Sequence, residues 1–164
     1  MKEEHTMETI FDVPVLLRRE IEALMIKPFV DAFEKELGHE KTYAIVEKVV
    51  AEIAEQQGAE YAKMLKKNDI DALLQQEEAW TANDALVFEN VLSNDRQTLE
   101  QTIKKCAYVD MYARIGMKEL GYTLSCMRDE YFYKGFNSEM TMTRSKTLMR
   151  GDDCCDFCFK LSKK

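Results

Sequence analysis

Cys126, Asp129 and Tyr133 stand three and four residues apart in "CMRDEYFY". On a helix beginning at Cys126 that spacing puts all three side chains on one face. A carboxylate so placed can activate a water or take a proton from the thiol. A thiolate beside a carboxylate needs a positive neighbour, and Arg128 and Arg144 are the candidates. The plainer reading packs Cys126 in the core and has Asp129 cap the helix. Arg144 lies in "EMTMTRSKTLM", where it alternates with Met140, Met142, Lys146 and Leu148. Its guanidinium can grip a substrate carboxylate as a bidentate fork, or pair with Asp129 or Asp156. Cys106 opens a short helical stretch, where free N–H groups and the helix dipole lower a thiol pKa. It reads as a nucleophile, a site wall or a buried packing residue. Asn137, in "KGFN", orients a substrate or caps a turn.

Three further cysteines crowd "GDDCCDFCFK". The alternation of 154–162 predicts a strand, with Cys155, Phe157, Phe159 and Leu161 on the core face and Cys154, Asp156, Cys158 and Lys160 on the other. Cys154 and Cys158 then lie about 13 Å apart at ~3.3 Å per residue. That is too far for one zinc or one disulfide. No metal and no cofactor is expected. Asp156 is expected to pair with Lys160. His5 and His39, the only histidines, lie far from the cysteines, so a Cys/His dyad is not expected.

The elements that must position these groups form an α+β chain: N-terminal helices, then an antiparallel sheet of about four strands with helical insertions. Residues 1–164 read as a single domain, with a helical front half over 12–79 and a sheet-containing back half over 85–162. Apolar residues from Leu17 to Leu37 follow a 3.6-residue period. Asp12 is the expected cap, Gly38 the end, and Pro28 a kink or split. A second helix spans 41–57, with Gly58 interrupting it; 59–67 and 69–79 are further helical pieces, the latter capped by Asp69. "ALVFENVL" and "TLEQTIKK" flank the turn-rich "SNDRQ" as a hairpin. Residues 106–116 form a short helix closed by Gly116. "YTLSC" over 122–126 reads as a buried strand, and 126–136 as helix. Residues 139–149 and 154–162 alternate about "RGDD" as a second hairpin.

With 23 basic and 30 acidic side chains, the net charge is -7. There is no basic block, so nucleic acid is not an expected partner. No apolar run approaches the ~20 residues of a membrane span, and the N-terminus lacks the layout of a signal peptide. A cytoplasmic protein with reduced cysteines is expected. A small-molecule substrate is the expected partner, with a possible homo-oligomer through the N-terminal helices.

Over nearly its whole length the chain resembles the L-2-amino-thiazoline-4-carboxylic acid hydrolase family, most specifically in its back half. The resemblance rests on "TIKKC", "AYVDMYARIG", "GYTLSCMRDEYFYKGFN" and "MTMTRSKTLMRGDDCCDF", in order and spacing, with "RREIEALMIKPFVDAFEKELG" and "IVEKVVAEIAEQQG" in front. It implies hydrolytic opening of a cyclic amidine-like ring to a carbamoyl-cysteine. Cys126, Asp129 and Cys106 would serve that chemistry, and Arg144, Asn137 and Tyr133 would bind substrate. The alternative is a non-catalytic domain that binds a small molecule in a Cys- and Met-lined pocket.

Overall fold

The computed structural model of the chain describes residues 13–81 and 84–162, apart from the side chains of 76–79. The expected cap Asp12 and His5 lie outside the described residues. Helix α1 (Val15–Leu37) continues through Pro28 as one element and ends at Gly38, at φ 80°, which any side chain would find strained. Helix α2 (His39–Leu65) follows at once. It passes straight through Gly58, where the sequence predicts an interruption. A Cβ on Gly58 would lie 2.0 Å from the carbonyl oxygen of Phe132, and one on Gly135 would lie 1.9 Å from that of Glu55. These glycines are a contact surface between two helix backbones. Helix α3 (Ile70–Thr81) starts where expected, with Asp69 Oδ1 accepting the Ala72 N–H at 2.9 Å.

Strands β1 (Leu86–Leu92) and β2 (Thr98–Cys106) form the first hairpin. Helix α4 (Ala107–Arg114) and the single turn α5 (Lys118–Gly121) follow. Residues 122–126 are not a strand: Tyr122–Met127 is a π-helix running into α6 (Arg128–Phe136). It wraps the fully buried Tyr112, whose hydroxyl meets Ser125 Oγ at 3.0 Å. Burial of that ring outweighs the strand propensity of the local residues.

Strands β3 (Met140–Arg144) and β4 (Cys155–Leu161) complete an antiparallel sheet in the order β1-β2-β4-β3. The alternation of 139–149 carries as strand only to Arg144. Beyond it, Asp156 accepts the N–H groups of Ser145 (2.9 Å) and Lys146 (2.5 Å), and Asp152 accepts that of Thr147 (2.7 Å). Carboxylates thus replace the ladder, and Leu148–Arg150 turns as a 3₁₀ segment. Asp156 is therefore not Lys160's partner as expected, because its oxygens serve the loop.

Two apolar clusters result. One joins the sheet to α3 and α6 through Leu73, Leu99, Ile103, Tyr133, Phe136 and Phe159. The other joins α1, α4, α5 and the π-helix through Ala23, Val30, Met111, Tyr112, Leu120 and Leu124. Helix α6 lies between α2 and the sheet. Gly58→Ala is expected to push these helices apart. The cost should be about 2–3 kcal/mol, lowering Tm by roughly 5–10 °C in a thermal melt. An unchanged Tm would show that the crossing is looser than the backbone contacts imply.

Candidate functional site

At the seam between the two clusters lies a cavity of about 110 Å³. Sheet register builds one wall. Gln101 and Arg144 both face Phe157 across the strands, and Ile103 faces Cys155. Leu86 pairs with Cys106 at the edge. The opposite wall is the π-helix and α6, which supply Ser125, Cys126, Arg128, Asp129 and Tyr133. Helix α1 contributes Val15 and Arg19, and α4 contributes Tyr108.

Of the residues singled out in the sequence, Cys106, Cys126, Asp129, Tyr133 and Arg144 all line this one cavity. Asn137 does not. Its Nδ2 donates to the Asn68 carbonyl at 2.7 Å and its Oδ1 accepts the Glu139 N–H at 2.9 Å, so it shapes the turn after α6. The lining carries three cysteines and no methionine. Met140 instead packs in the sheet cluster, with Met142 against it.

Arg144 is the centre of the polar network. Its Nη1 donates to Asp129 Oδ2 at 2.9 Å and its Nη2 to the Cys126 carbonyl at 2.9 Å. Its guanidinium lies over the Phe157 ring, 4.8 Å from the centroid. The Arg144 side chain is 8% exposed and that of Asp129 27%. The salt bridge that the sequence left open is therefore formed. Burial pushes the Asp129 carboxyl up, against the pull of the Arg144 and Arg128 guanidinium groups.

The thiols differ from the sequence expectation. Cys106 does stand at the N-cap of α4, without a side-chain cap hydrogen bond, and the backbone N–H groups of Val109 and Tyr108 pull its pKa down. Burial nonetheless pushes its pKa up to about 11. Desolvation outweighs the helix terminus, so the lowered pKa expected there is not found. Burial, then the Asp129 charge, pushes Cys126 up further, with Arg144 only partly opposing. Both sulfurs are thiols at neutral pH. All five cysteines are free. Among the described residues, no three His, Cys, Asp or Glu side chains gather as a metal site.

Two lining residues escaped the sequence reading altogether or in part. Arg19, from α1, pairs with Glu22. Arg128 donates to the neutral amide of Gln57, and burial, then Arg19, lowers its pKa to about 10. Arg19 lies more than a hundred positions before α6, and no local pattern marks it. With Arg144, three guanidinium groups face one carboxylate in this cavity, in a chain of net charge -7.

The fold and cavity define an α+β domain with an arginine-lined, partly open site. The family model for L-2-amino-thiazoline-4-carboxylic acid hydrolase matches residues 18–159. The chain belongs to that family. Comparison with curated proteins finds no match. Among solved structures, it is similar to a trafficking protein particle complex subunit 3 from Naegleria fowleri, covalently bound to palmitic acid. The TM-score is 0.50 at 11% identity, covering 90% of this chain and 96% of that one. It also matches the phenol-responsive sensory domain of the transcription activator PoxR, with a TM-score of 0.49 at 8% identity, covering 89% and 75%. The first likeness is one of fold. No described helix is long and apolar enough to cross a membrane.

Two measurements test this network. Arg144→Met should cost on the order of 3 kcal/mol in denaturant unfolding, because it leaves the Asp129 carboxylate uncompensated. Adding Asp129→Asn should recover at least ~1 kcal/mol of that loss; purely additive losses would mean the pair is not coupled. Alkylation of Cys106, mapped by mass spectrometry, should rise about tenfold per pH unit from pH 8 and level off only near 11. Labelling that plateaus by pH 8 would contradict the burial argument.

Proposed function

We propose that the cavity hydrolyses a small cyclic amidine-like carboxylate of the 2-amino-thiazoline-4-carboxylate type. The observation that supports this most is the meeting of Asp129, the arginines and the inward thiols around one cavity, in a chain of this family. Asp129 is the general base. Its raised pKa brings it towards the useful range, and its Oδ2 is held by Arg144. Water, not a cysteine, is the nucleophile, because Cys126 and Cys106 are protonated at neutral pH. Those two thiols then act as walls against the ring.

Water adds to the carbon between ring nitrogen and sulfur, forming the C–O bond. Asp129 accepts a water proton and passes it to the ring nitrogen. The C–S bond then breaks, a carbonyl forms, and the hydroxyl proton moves through Asp129 to the departing sulfur. The product is a carbamoyl-cysteine. Arg144 is already committed to Asp129 and the Cys126 carbonyl. Arg128, whose partner Gln57 is a neutral amide, is the guanidinium left to hold the substrate carboxylate, with the Glu22-paired Arg19 beside it, and Tyr133 packs against the ring.

A specific observation favours a second reading, in which the domain binds a small molecule without turnover. Six or so apolar side chains, among them Trp80, Ile103 and Phe157, line the cavity, and neither inward thiol is ionised. The neighbour of similar fold carries palmitic acid. Purified protein incubated with the thiazoline, with new thiol measured by a colour reaction, separates the two readings. Asp129→Asn should lower turnover at least ~100-fold while the fold persists. In the native protein kcat/KM should rise with pH, through an inflection above the ordinary carboxylate value, because the base must be ionised. Binding with no released thiol would favour the second reading, and unchanged turnover in the variant would remove Asp129 from the chemistry.

A further inference from the structure

Every exposed residue of α1 from Leu17 to Phe29 is apolar: Leu17, Ile21, Leu24, Met25, Pro28 and Phe29. Met25 is 67% exposed and Phe29 58%. The other side of α1 buries Ala23 and Val30 in the helical cluster. The helix is thus apolar on both its inner and its outer side. Monomers rarely leave so continuous an apolar surface open.

The neighbouring helix extends the patch. Ile45, Val49 and Ile53 of α2 are each close to half exposed. Between the two helices runs a groove of about 230 Å³, in which Ile26, Val50, Ile53 and Leu124 alternate with the polar side chains of Glu22 and Gln57. Arg19 and Arg128 line this groove as well as the site cavity. A projecting apolar ridge therefore stands beside a groove with an apolar floor and polar walls.

We propose that a second copy of this chain docks here, across a two-fold axis, with the α1 ridge of each copy entering the groove of the other. A two-fold contact needs a self-complementary patch, and ridge beside groove supplies one. The area fits. A half-exposed large apolar side chain leaves on the order of 90 Å² open, so the eight large ones named here offer roughly 700 Å². That is about the share each partner gives to a stable interface. The charge argues against a membrane surface as the occupant. Helices that lie on anionic lipid carry a Lys/Arg-rich polar face, whereas this chain has net charge -7. The docked copy would seal the groove side of Arg19 and Arg128, so assembly and site share a wall.

Sedimentation velocity or light scattering at ~10–100 µM tests this. Twice the 19.1 kDa chain mass is expected; a single-chain mass overturns the proposal. The double variant Met25→Glu/Phe29→Glu should run at the single-chain mass with an unchanged helical circular dichroism spectrum. A folded variant that keeps the doubled mass would move the interface elsewhere and overturn this assignment. Should the variant not fold, a benzophenone amino acid introduced in place of Phe29 decides. Irradiation should crosslink two copies through α1 or α2 peptides, and no crosslinked pair, or crosslinking to lipid vesicles alone, overturns the proposal.

Discussion

The backbones of α2 and α6 touch, and the site depends on that closeness. Gly58 and Gly135 leave room for each helix's carbonyl oxygens against the other's backbone. Helix α6 is held on that side by contact that tolerates no side chain. Its other side can then present Asp129 and Tyr133 to the sheet. A wider crossing would move α6 towards the strands and crowd the cavity, which lies between them. The glycines are remote from the chemistry, yet they set the depth at which the carboxylate sits.

The sheet answers from the other side with one guanidinium. Arg144 joins β3 to α6 through Asp129, and to the π-helix through the Cys126 carbonyl. A buried ion pair of this kind adds little net stability against a well-packed apolar alternative. Its use is positional: it fixes which carboxylate oxygen is occupied and which faces the cavity. The π-helix serves the same end. Its wide turn brings Ser125 and Cys126 to the cavity together with residues a turn further on. Burial dominates the electrostatics. It pushes the thiols of Cys106 and Cys126 up and raises the Asp129 carboxyl.

Much of this order was legible in the sequence. The strand alternation of Cys155, Phe157, Phe159 and Leu161 identified a core face, and the first three of these are buried. The spacing of Cys126, Asp129 and Tyr133 matched one side of a helical run, and the Asp69 cap marked the start of α3. The errors have physical causes. Gly58 has the same local signature whether a helix stops or crosses another closely. Residues 122–126 carry strand-like side chains, but the buried Tyr112 ring holds them in a π turn. The alternation after Arg144 was genuine, yet Asp152 and Asp156 bind the backbone there more effectively than a partner strand could. Arg19 could not be found at all, because only tertiary packing brings α1 beside α6.

The placement of Arg19 also bears on why α1 matters beyond the fold. Through residue 30 its inner side supplies both core contacts and a cationic wall, while its most exposed residues are apolar. Those two sides cannot respond independently, since one rigid helix carries both. A force that seats the outer side fixes the distance between Arg19 and Arg128. Burial first, and then the like charge of Arg19, lowers the pKa of Arg128. An anion between them relieves that repulsion. Helix seating and cavity charge therefore act on the same pair of groups, Arg19 and Arg128.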